Sequence, residues 1–336
     1  MLRTMSANTI RAAVIGYGGA FNMGKGHADW MKAAGIDTVA ACDVDPARME
    51  AAKAEIPGVR TYTDYRDLLM DDGVDLVVNI LPHNLHAEVC VAASNAGKHV
   101  VVEKPMCLSG SEADEMIAAA AKAGKMLSVF HNRRHDADYL TIKKIIEEGL
   151  IGEVFHIEAS IGGFSAPGNW WRADKRISGG TLFDWGAHFL DWILNLVPSE
   201  VVGVDGFFKS GIWDQTNEDH THAVVRFANG CCADLENSML NSVPKPKWRI
   251  LGTKGGLTAN WGDTVTVVVD HQGHLAKFDH ANVKGDWGKY YKDLADHLMN
   301  GAPLDVTGEQ SRRTIAIIEA AEESSKLGRT VVPKYR

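Results

Sequence analysis

The chain has 336 residues, enough for two domains with separate cores, and its 45% apolar and 23% charged content is ordinary for a globular protein. A net charge of −8, from 35 basic and 43 acidic residues, argues against non-specific nucleic-acid binding. No apolar run approaches the roughly 18 residues of a membrane-spanning helix, and no apolar signal segment precedes the first strand. Five scattered cysteines, an odd number, are expected as reduced thiols in a cytoplasm.

Residues 10–15 predict a buried strand running into Gly16-Tyr17-Gly18-Gly19-Ala20-Phe21-Asn22-Met23-Gly24, with a helix over 25–34. A strand, then glycines, then a helix is the context in which a G-x-G signal marks a dinucleotide site. The first glycine permits the tight turn and the second lets backbone approach a pyrophosphate. The helix N-terminus then favours the negative charge through its unpaired N–H groups and dipole. Phe21 stands where a strict G-x-G-x-x-G has its third glycine, so the loop reads as about three residues longer than usual, with Gly24 in the third role. Gly16, Gly18, Gly19, Ala20, Phe21, Asn22 and Met23 are the cofactor contacts expected of this turn.

A second strand at 38–42 ends at Asp43, close to where a dinucleotide fold places an acid on the adenosine ribose. Asp43 in that position repels a 2′-phosphate, so NAD is expected over NADP. Asp45, just before Pro46, reads as a helix N-cap. Strands at 76–81, 100–103 and 126–130 alternate with helices at 86–96 and 109–123, the latter opened by Ser109 and Glu112 as a capping box. Continuous apolar strands between helices imply a parallel sheet covered on both faces, whose ligands bind beyond the strands' carboxyl ends. Those ends carry Leu81-Pro82-His83-Asn84-Leu85-His86, Glu103-Lys104-Pro105 and His131-Asn132-Arg133-Arg134. Leu81, Pro82, His83, His86, Glu103 and Lys104 are expected to line the cofactor, with Lys104, a lone cation at a buried strand's end, near the nicotinamide. No cysteine or acid cluster accompanies His83 and His86, and no metal is expected there.

After a helix at 138–148 the pattern turns to period two at Val154. Strand-like runs follow at 201–208, 222–227, 231–235, 248–251, 256–260, 265–270 and 275–278, which together predict a mostly antiparallel sheet. Helices at 184–196 and 290–299 are expected to cover one of its faces, and a long amphipathic helix at 308–327 closes the pattern. His220 and His222 share a strand face, but such an isolated pair ordinarily reflects packing or solvent exposure and is assigned no metal. The expected division is a first domain at 8–132 and a second at 133–336, with the last helix packing back on the first.

The second half is organised around Gly179-Gly180-Thr181-Leu182-Phe183-Asp184-Trp185-Gly186-Ala187-His188-Phe189-Leu190-Asp191. On a helix, Asp184, His188 and Asp191 share one face. A carboxylate beside an imidazole, just after a glycine loop that admits a substrate, suits acid–base chemistry near neutral pH. The same spacing also fits a buried helix whose Asp and His simply hydrogen-bond each other.

Taken together the motifs resemble the glucose–fructose oxidoreductase / inositol dehydrogenase (Gfo/Idh/MocA) family over essentially the whole chain. They are the glycine-rich start, Glu103-Lys104-Pro105, Glu148-Gly149-Leu150-Ile151-Gly152-Glu153-Val154, Trp171-Arg172, Gly179-Gly180 leading to Asp184, His188 and Asp191, and Gly308-Glu309. The resemblance implies an α/β protein with an N-terminal Rossmann domain and a C-terminal α/β domain. The latter is built on a large, mostly antiparallel open sheet whose free face often mediates dimers or tetramers. It also implies Lys104, Asp184 and His188 as the catalytic set of an NAD(P)-dependent dehydrogenase acting on a sugar, sugar derivative or cyclic polyol. In that reading His188 takes the hydroxyl proton, Asp184 orients the substrate or the imidazole, and Lys104 stabilises alkoxide charge. Arg134, Trp171 and Arg172 join Asp184 and His188 as expected substrate contacts, and Asn169, Trp170 and Trp213 are residue types that stack on or hydrogen-bond a sugar ring. The partners expected are a small carbohydrate or polyol and further copies of the chain, with no nucleic acid, membrane or metal. Two alternatives keep the scaffold: redox-neutral glycoside cleavage or epimerisation, and a nucleotide-sensing protein without catalysis. The joint presence of Lys104, Asp184 and His188 argues against the last.

Overall fold

The computed structural model describes residues 9–18, 21–168 and 170–335. These form two compact units. The first comprises residues through Cys107, Ser111–Asn132 and Trp287–Glu309; the second comprises Leu108–Gly110, Arg133–Asp286 and the chain from Gln310 on.

The first unit is built on β1 (Ile10–Ile15), β2 (Ile36–Cys42), β3 (Arg60–Tyr62), β4 (Leu76–Asn79), β5 (His99–Val102) and β6 (Leu127–Val129). Their order is β3-β2-β1-β4-β5-β6, and every pairing is parallel. Ala12, Ala13, Val14, Leu76, Val77 and Val100 are fully buried, as expected when helices cover both faces of a parallel sheet. The sheet is the Rossmann arrangement, and its order reverses between β1 and β4, the switch point at which such sheets bind ligands. β3 went unanticipated because Arg-Thr-Tyr is a three-residue edge strand without an apolar run.

The helix Lys289–Asn300 was expected on the second sheet, but it belongs to the first unit. Its two tyrosines explain why. Tyr290 sets its ring 4.8 Å from Phe130 and its hydroxyl 2.6 Å from Ser128 Oγ, while the Tyr291 hydroxyl lies 2.6 Å from His27 Nδ1. Periodicity announces an amphipathic helix but not the surface that receives it.

The second unit carries β7 (Val154–Gly162), β8 (Val201–Lys209), β9 (His220–Phe227), β10 (Cys232–Ser238), β11 (Trp248–Gly252), β12 (Gly255–Ala259), β13 (Thr264–His271) and β14 (His274–Ala281). They line up as β14-β13-β12-β11-β7-β10-β9-β8, antiparallel except for the central β7–β10 pair. Period-two alternation sends Ile157, Ala233, Leu235, Ala223, Trp248 and Ile250 inward to full burial. The helix Ala187–Leu196 covers that face, with Phe189 and Trp192 packing their rings 5.2 and 5.6 Å from Trp248.

The last helix, Gly308–Leu327, begins in the first unit and from Gln310 is part of the second. Ser324 Oγ and Ser325 Oγ accept the N–H groups of Gly206 and Phe208, which satisfies donors on the edge strand β8. Gly206 makes the approach possible, since a Cβ there would stand 1.9 Å from the Ala321 carbonyl oxygen. Among the described residues, no helix is long and apolar enough to cross a membrane.

Candidate active site

In the first unit the turn after β1 is shaped by backbone. Gly16 adopts φ +94°, a Cβ on it would press within 3.0 Å of the Ile80 backbone, and its N–H donates to the Cys42 carbonyl at 2.8 Å. Gly18 leaves space on its open side, the nearest atom to a built Cβ being Asp43 Oδ2 at 4.0 Å. At Gly24 a Cβ would lie 2.7 Å from the buried Tyr17 ring, a close approach that only glycine allows. Asn22 is left-handed (φ 51°) and gives no side-chain cap to the helix Met23–Ala33. Among the described residues the N-cap position thus gives that first turn no capping side chain, the condition in which a helix start receives an anion. These features fit a dinucleotide pyrophosphate. Phe21 is 62% exposed beside them, whereas Gly19 and Ala20 lie outside the described residues, as does Asn169. Asp43 directly follows β2, its Oδ1 accepting the Asp45 N–H, and Asp45 caps the next helix through Ala47 N as the sequence indicates.

The other strand ends hold internal braces. His86, expected to line the cofactor, is fully buried, with Nδ1 and Nε2 each 2.8 Å from the carbonyl oxygens of Pro105 and Leu81. It ties the loop after β4 to the loop after β5 instead. Burial pushes its pKa down against the pull of the two carbonyls. His83 is also buried, and its ring lies 5.6 Å from that of His86. Glu103, likewise expected on the cofactor, turns its carboxylate inward. Oε1 lies 3.2 Å from His27 Nε2, and Oε2 accepts the Lys104 backbone N–H at 3.0 Å. Burial alone would raise the Glu103 carboxyl, but His27 and the Lys104 ammonium hold it below the usual range. His27 is in turn anchored by Tyr291 and packed 4.3 Å from Phe130. This Tyr291–His27–Glu103 chain fixes the backbone on which Lys104 stands. Sequence reasoning missed it, since its members lie 264 and 76 positions apart.

In the second unit the two glycines do conformational work. Gly179 (φ 85°) ends the short helix Lys175–Ser178, and Gly180 (φ 128°) leaves room for Glu218, whose Oε2 a Cβ would meet at 2.7 Å. Glu218 accepts the Thr181 N–H at 3.0 Å and pairs with Lys175. The chain then forms a π-helical turn, Leu182–Gly186, before the α-helix Ala187–Leu196. Such widened turns are rare and recur at functional sites.

Asp184 sits on this turn, half-buried, with Oδ2 3.8 Å from Arg172 Nε. The Arg172 guanidinium lies over the rings of Trp170 and Trp171 at 4.7 and 4.4 Å, within the range of cation–π attraction. Asp184, Arg172, Trp170, Trp185, Asn217 and Asn237 help wall a cavity of about 140 Å³. His188 is 4% exposed, its ring 5.7 Å from that of Trp185 and stacked at 6.2 Å on Trp192. Among the described residues that wall includes neither His188 nor Trp171. Trp213 is held by its indole N–H on the Met239 carbonyl and by Phe164.

Arg134, expected at the substrate, is 7% exposed and donates from Nε and Nη2 to both oxygens of Asp191, at 2.8 and 2.6 Å, with Nη1 on Gln310. The planar guanidinium matches a carboxylate bidentately, so Asp191 and Arg134 brace the helix that carries His188.

Comparison with known proteins agrees with this architecture. Residues 10–131 match the family described as "Oxidoreductase family, NAD-binding Rossmann fold", and residues 139–258 match "GFO/IDH/MocA C-terminal domain". The chain is similar to scyllo-inositol 2-dehydrogenase (NADP(+)) IolW of Bacillus subtilis, 29% identical over 98% of this chain and 97% of that protein. Myo-inositol 2-dehydrogenase of Thermotoga maritima is 28% identical over 96% of this chain and 98% of its own. Among solved structures, an NAD-binding protein from Listeria innocua superimposes with a TM-score of 0.87 at 30% identity, covering 97% of each chain. The chain belongs to the GFO/IDH/MocA family of oxidoreductases, and its first unit is that family's NAD-binding Rossmann fold.

Proposed function

We propose that this protein is a nicotinamide-dependent dehydrogenase that oxidises a secondary alcohol of a sugar, sugar derivative or cyclic polyol, with Lys104, Asp184 and His188 as its catalytic set. The observation that carries the reading is the polar and aromatic cavity walled by Asp184, Arg172, Asn217, Asn237, Trp170 and Trp185, with the buried His188 against Trp185. A few convergent hydrogen-bonding groups among indole faces suit a hydroxylated ring. The inositol dehydrogenases similar to this chain support the same substrate class.

A bound nicotinamide supplies the hydride chemistry, and the chain supplies position and charge. Gly16, Gly18 and the first turn of the helix Met23–Ala33 hold the pyrophosphate; Asp43 takes the adenosine ribose. His188 accepts the hydroxyl proton, Asp184 orients the substrate, and the Lys104 ammonium stabilises developing alkoxide charge. Tyr291, His27 and Glu103 act through Lys104 as positioning residues. Asp43 disfavours a 2′-phosphate and makes NAD the preferred cofactor, so Asp43→Asn should raise activity with NADP relative to NAD; an unchanged ratio would remove Asp43 from that role. A cytoplasmic homo-oligomer is the accompanying reading, supported by five cysteines that are all thiols and by the resemblance to a family that often assembles through this sheet.

The decisive experiment follows reduced-nicotinamide absorbance with NAD and NADP across hexoses, glycosides, inositols and anhydrosugars. Stoichiometric reduction with one class supports the dehydrogenase. Substrate turnover with no net reduced nicotinamide replaces it with redox-neutral cleavage or epimerisation, and cofactor binding without turnover across the panel replaces it with nucleotide sensing.

A further inference from the structure

The outer face of the second sheet holds a cluster that hydride transfer does not use. Sheet order sets β7, β10 and β9 side by side, and register places Cys232 opposite His156 and Glu236 opposite His222. Alternation then turns His156, Cys232, Asp234 and His222 to one face while their neighbours Ile157, Ala233, Leu235 and Ala223 are fully buried on the other. His156 Nε2 lies 3.4 Å from Asp234 Oδ2, and His222 Nε2 lies 3.2 Å from Asp234 Oδ1. Donor atoms of His156, Cys232 and Asp234 all fall within 4.8 Å of one another. All four residues are half-buried, and all stand on strands, which hold their side chains more firmly than loops do.

Ligands held about 2.0–2.3 Å from a tetrahedral ion stand roughly 3.3–3.8 Å from each other. The two Asp234 contacts are near that spacing, whereas His222 reaches the cluster only through Asp234 Oδ1 and stands outside the mutual 4.8 Å of the other three. Two imidazoles, a thiol and a carboxylate form a borderline donor set that suits zinc and disfavours magnesium and calcium, which take oxygen. The Asp234 carboxyl lies below its usual range, chiefly through its hydrogen bond with His222, and so is present as a carboxylate. Burial raises the Cys232 thiol, and Asp234 adds to the rise, but a coordinated cation reverses that order and deprotonates the sulfur. Hydrogen bonding and coordination make opposite demands on the two imidazoles. The first needs His222 Nε2 to carry a proton toward Asp234 and His156 Nε2 to carry one toward Glu158; the second needs each Nε2 to offer its lone pair. His220 and His222 received no metal in the sequence reading because the other donors come from strands that only the sheet topology brings beside β9.

We propose that His156, Cys232 and Asp234, joined on binding by a shift of the His222 imidazole from β9, form a four-donor structural site for Zn(II) or a similar divalent transition ion on the outer face of this sheet. Glu158 flanks it, with Oε1 3.2 Å from His156 Nε2 and an ion pair to Arg249.

The test is to titrate the chelator-treated full chain with Co(II). The expected result is intense visible absorption of four-coordinate cobalt and a near-ultraviolet thiolate band, saturating at one ion per chain, displaced by Zn(II) and not by Mg(II). Cys232→Ser should abolish the thiolate band, and His222→Ala should weaken binding by roughly tenfold or more. Both variants should keep the wild-type far-ultraviolet dichroism and NAD affinity. Zn(II) should also raise the melting temperature of the wild type and leave that of the Cys232→Ser/His222→Ala double variant unchanged. Weak six-coordinate spectra alone, or a thiolate band that survives both substitutions, would overturn the site.

Discussion

At the carboxyl ends of the first sheet, the surface offered to a ligand is largely main chain: Gly16 at φ +94°, an open Gly18, and the uncapped first turn behind Asn22. Around Asp184 and His188, in the second unit, it is side chain. There an imidazole lies between Trp185 and Trp192, a carboxylate faces a tryptophan-flanked arginine, and a buried ion pair sits under the helix. A backbone site needs only the right conformation and bare donors, which a few glycines supply. A side-chain site needs each group held by others, so its integrity depends on residues that never touch the ligand.

That contrast predicts where each region breaks. Asp191→Ala strands the Arg134 charge in a buried position and should cost about 3–5 kcal/mol in denaturant unfolding. Activity should fall with it, since Asp191 is one turn beyond His188; a loss under 1 kcal/mol, on the order expected for an exposed pair, would mean the brace is not there. Gly16→Ala forces a Cβ at positive φ toward the Ile80 backbone and should cost about 1–3 kcal/mol. Gly18→Ala should leave folding stability within about 0.5 kcal/mol yet weaken NAD binding if, as proposed, the pyrophosphate approaches on its open side. Equal effects of the two substitutions on folding would erase the distinction between a strained and an open glycine.

A smaller effect separates the units by pH. His99 on β5 titrates at about 4 rather than 6.5, chiefly because burial penalises its charge, with Lys125 adding repulsion. Its Nδ1 accepts the Met126 N–H at 3.0 Å, which a proton there would displace. Between pH 6.5 and 4 the unfolded chain binds this proton and the folded chain does not. The contribution of neutral His99 is therefore complete above that window and is lost as pH falls through it. His99→Gln should flatten the decline in stability across the window by on the order of 1–2 kcal/mol, after allowance for partial exposure. An identical decline in the variant would assign it to other groups.

Much of this was legible beforehand because it depends on short-range patterning. Gly16 follows from a strand running into a helix, Asp45 as a cap from the proline after it, and the helix over Ala187–Leu196 from its apolar spacing. What escaped depends on distant contacts. Nothing near His27 announces Tyr291 or Glu103, and nothing in the spacing of Arg134 and Asp191 announces their pairing. The π-helical turn at Leu182–Gly186 is equally silent, since helical periodicity assumes the ordinary pitch. The apolar face of Lys289–Asn300 was visible, but its receiving surface of Phe130, Ser128 and His27 was not.

The central claim concerns the imidazole on the helix Ala187–Leu196. The most direct measurement compares wild type with His188→Ala, taking kcat on the best substrate of the panel and the dissociation constant for the cofactor on the same preparations. A general base should lower kcat by roughly 10²–10⁴-fold while cofactor affinity stays within about twofold. Undiminished turnover in that variant would contradict the assignment.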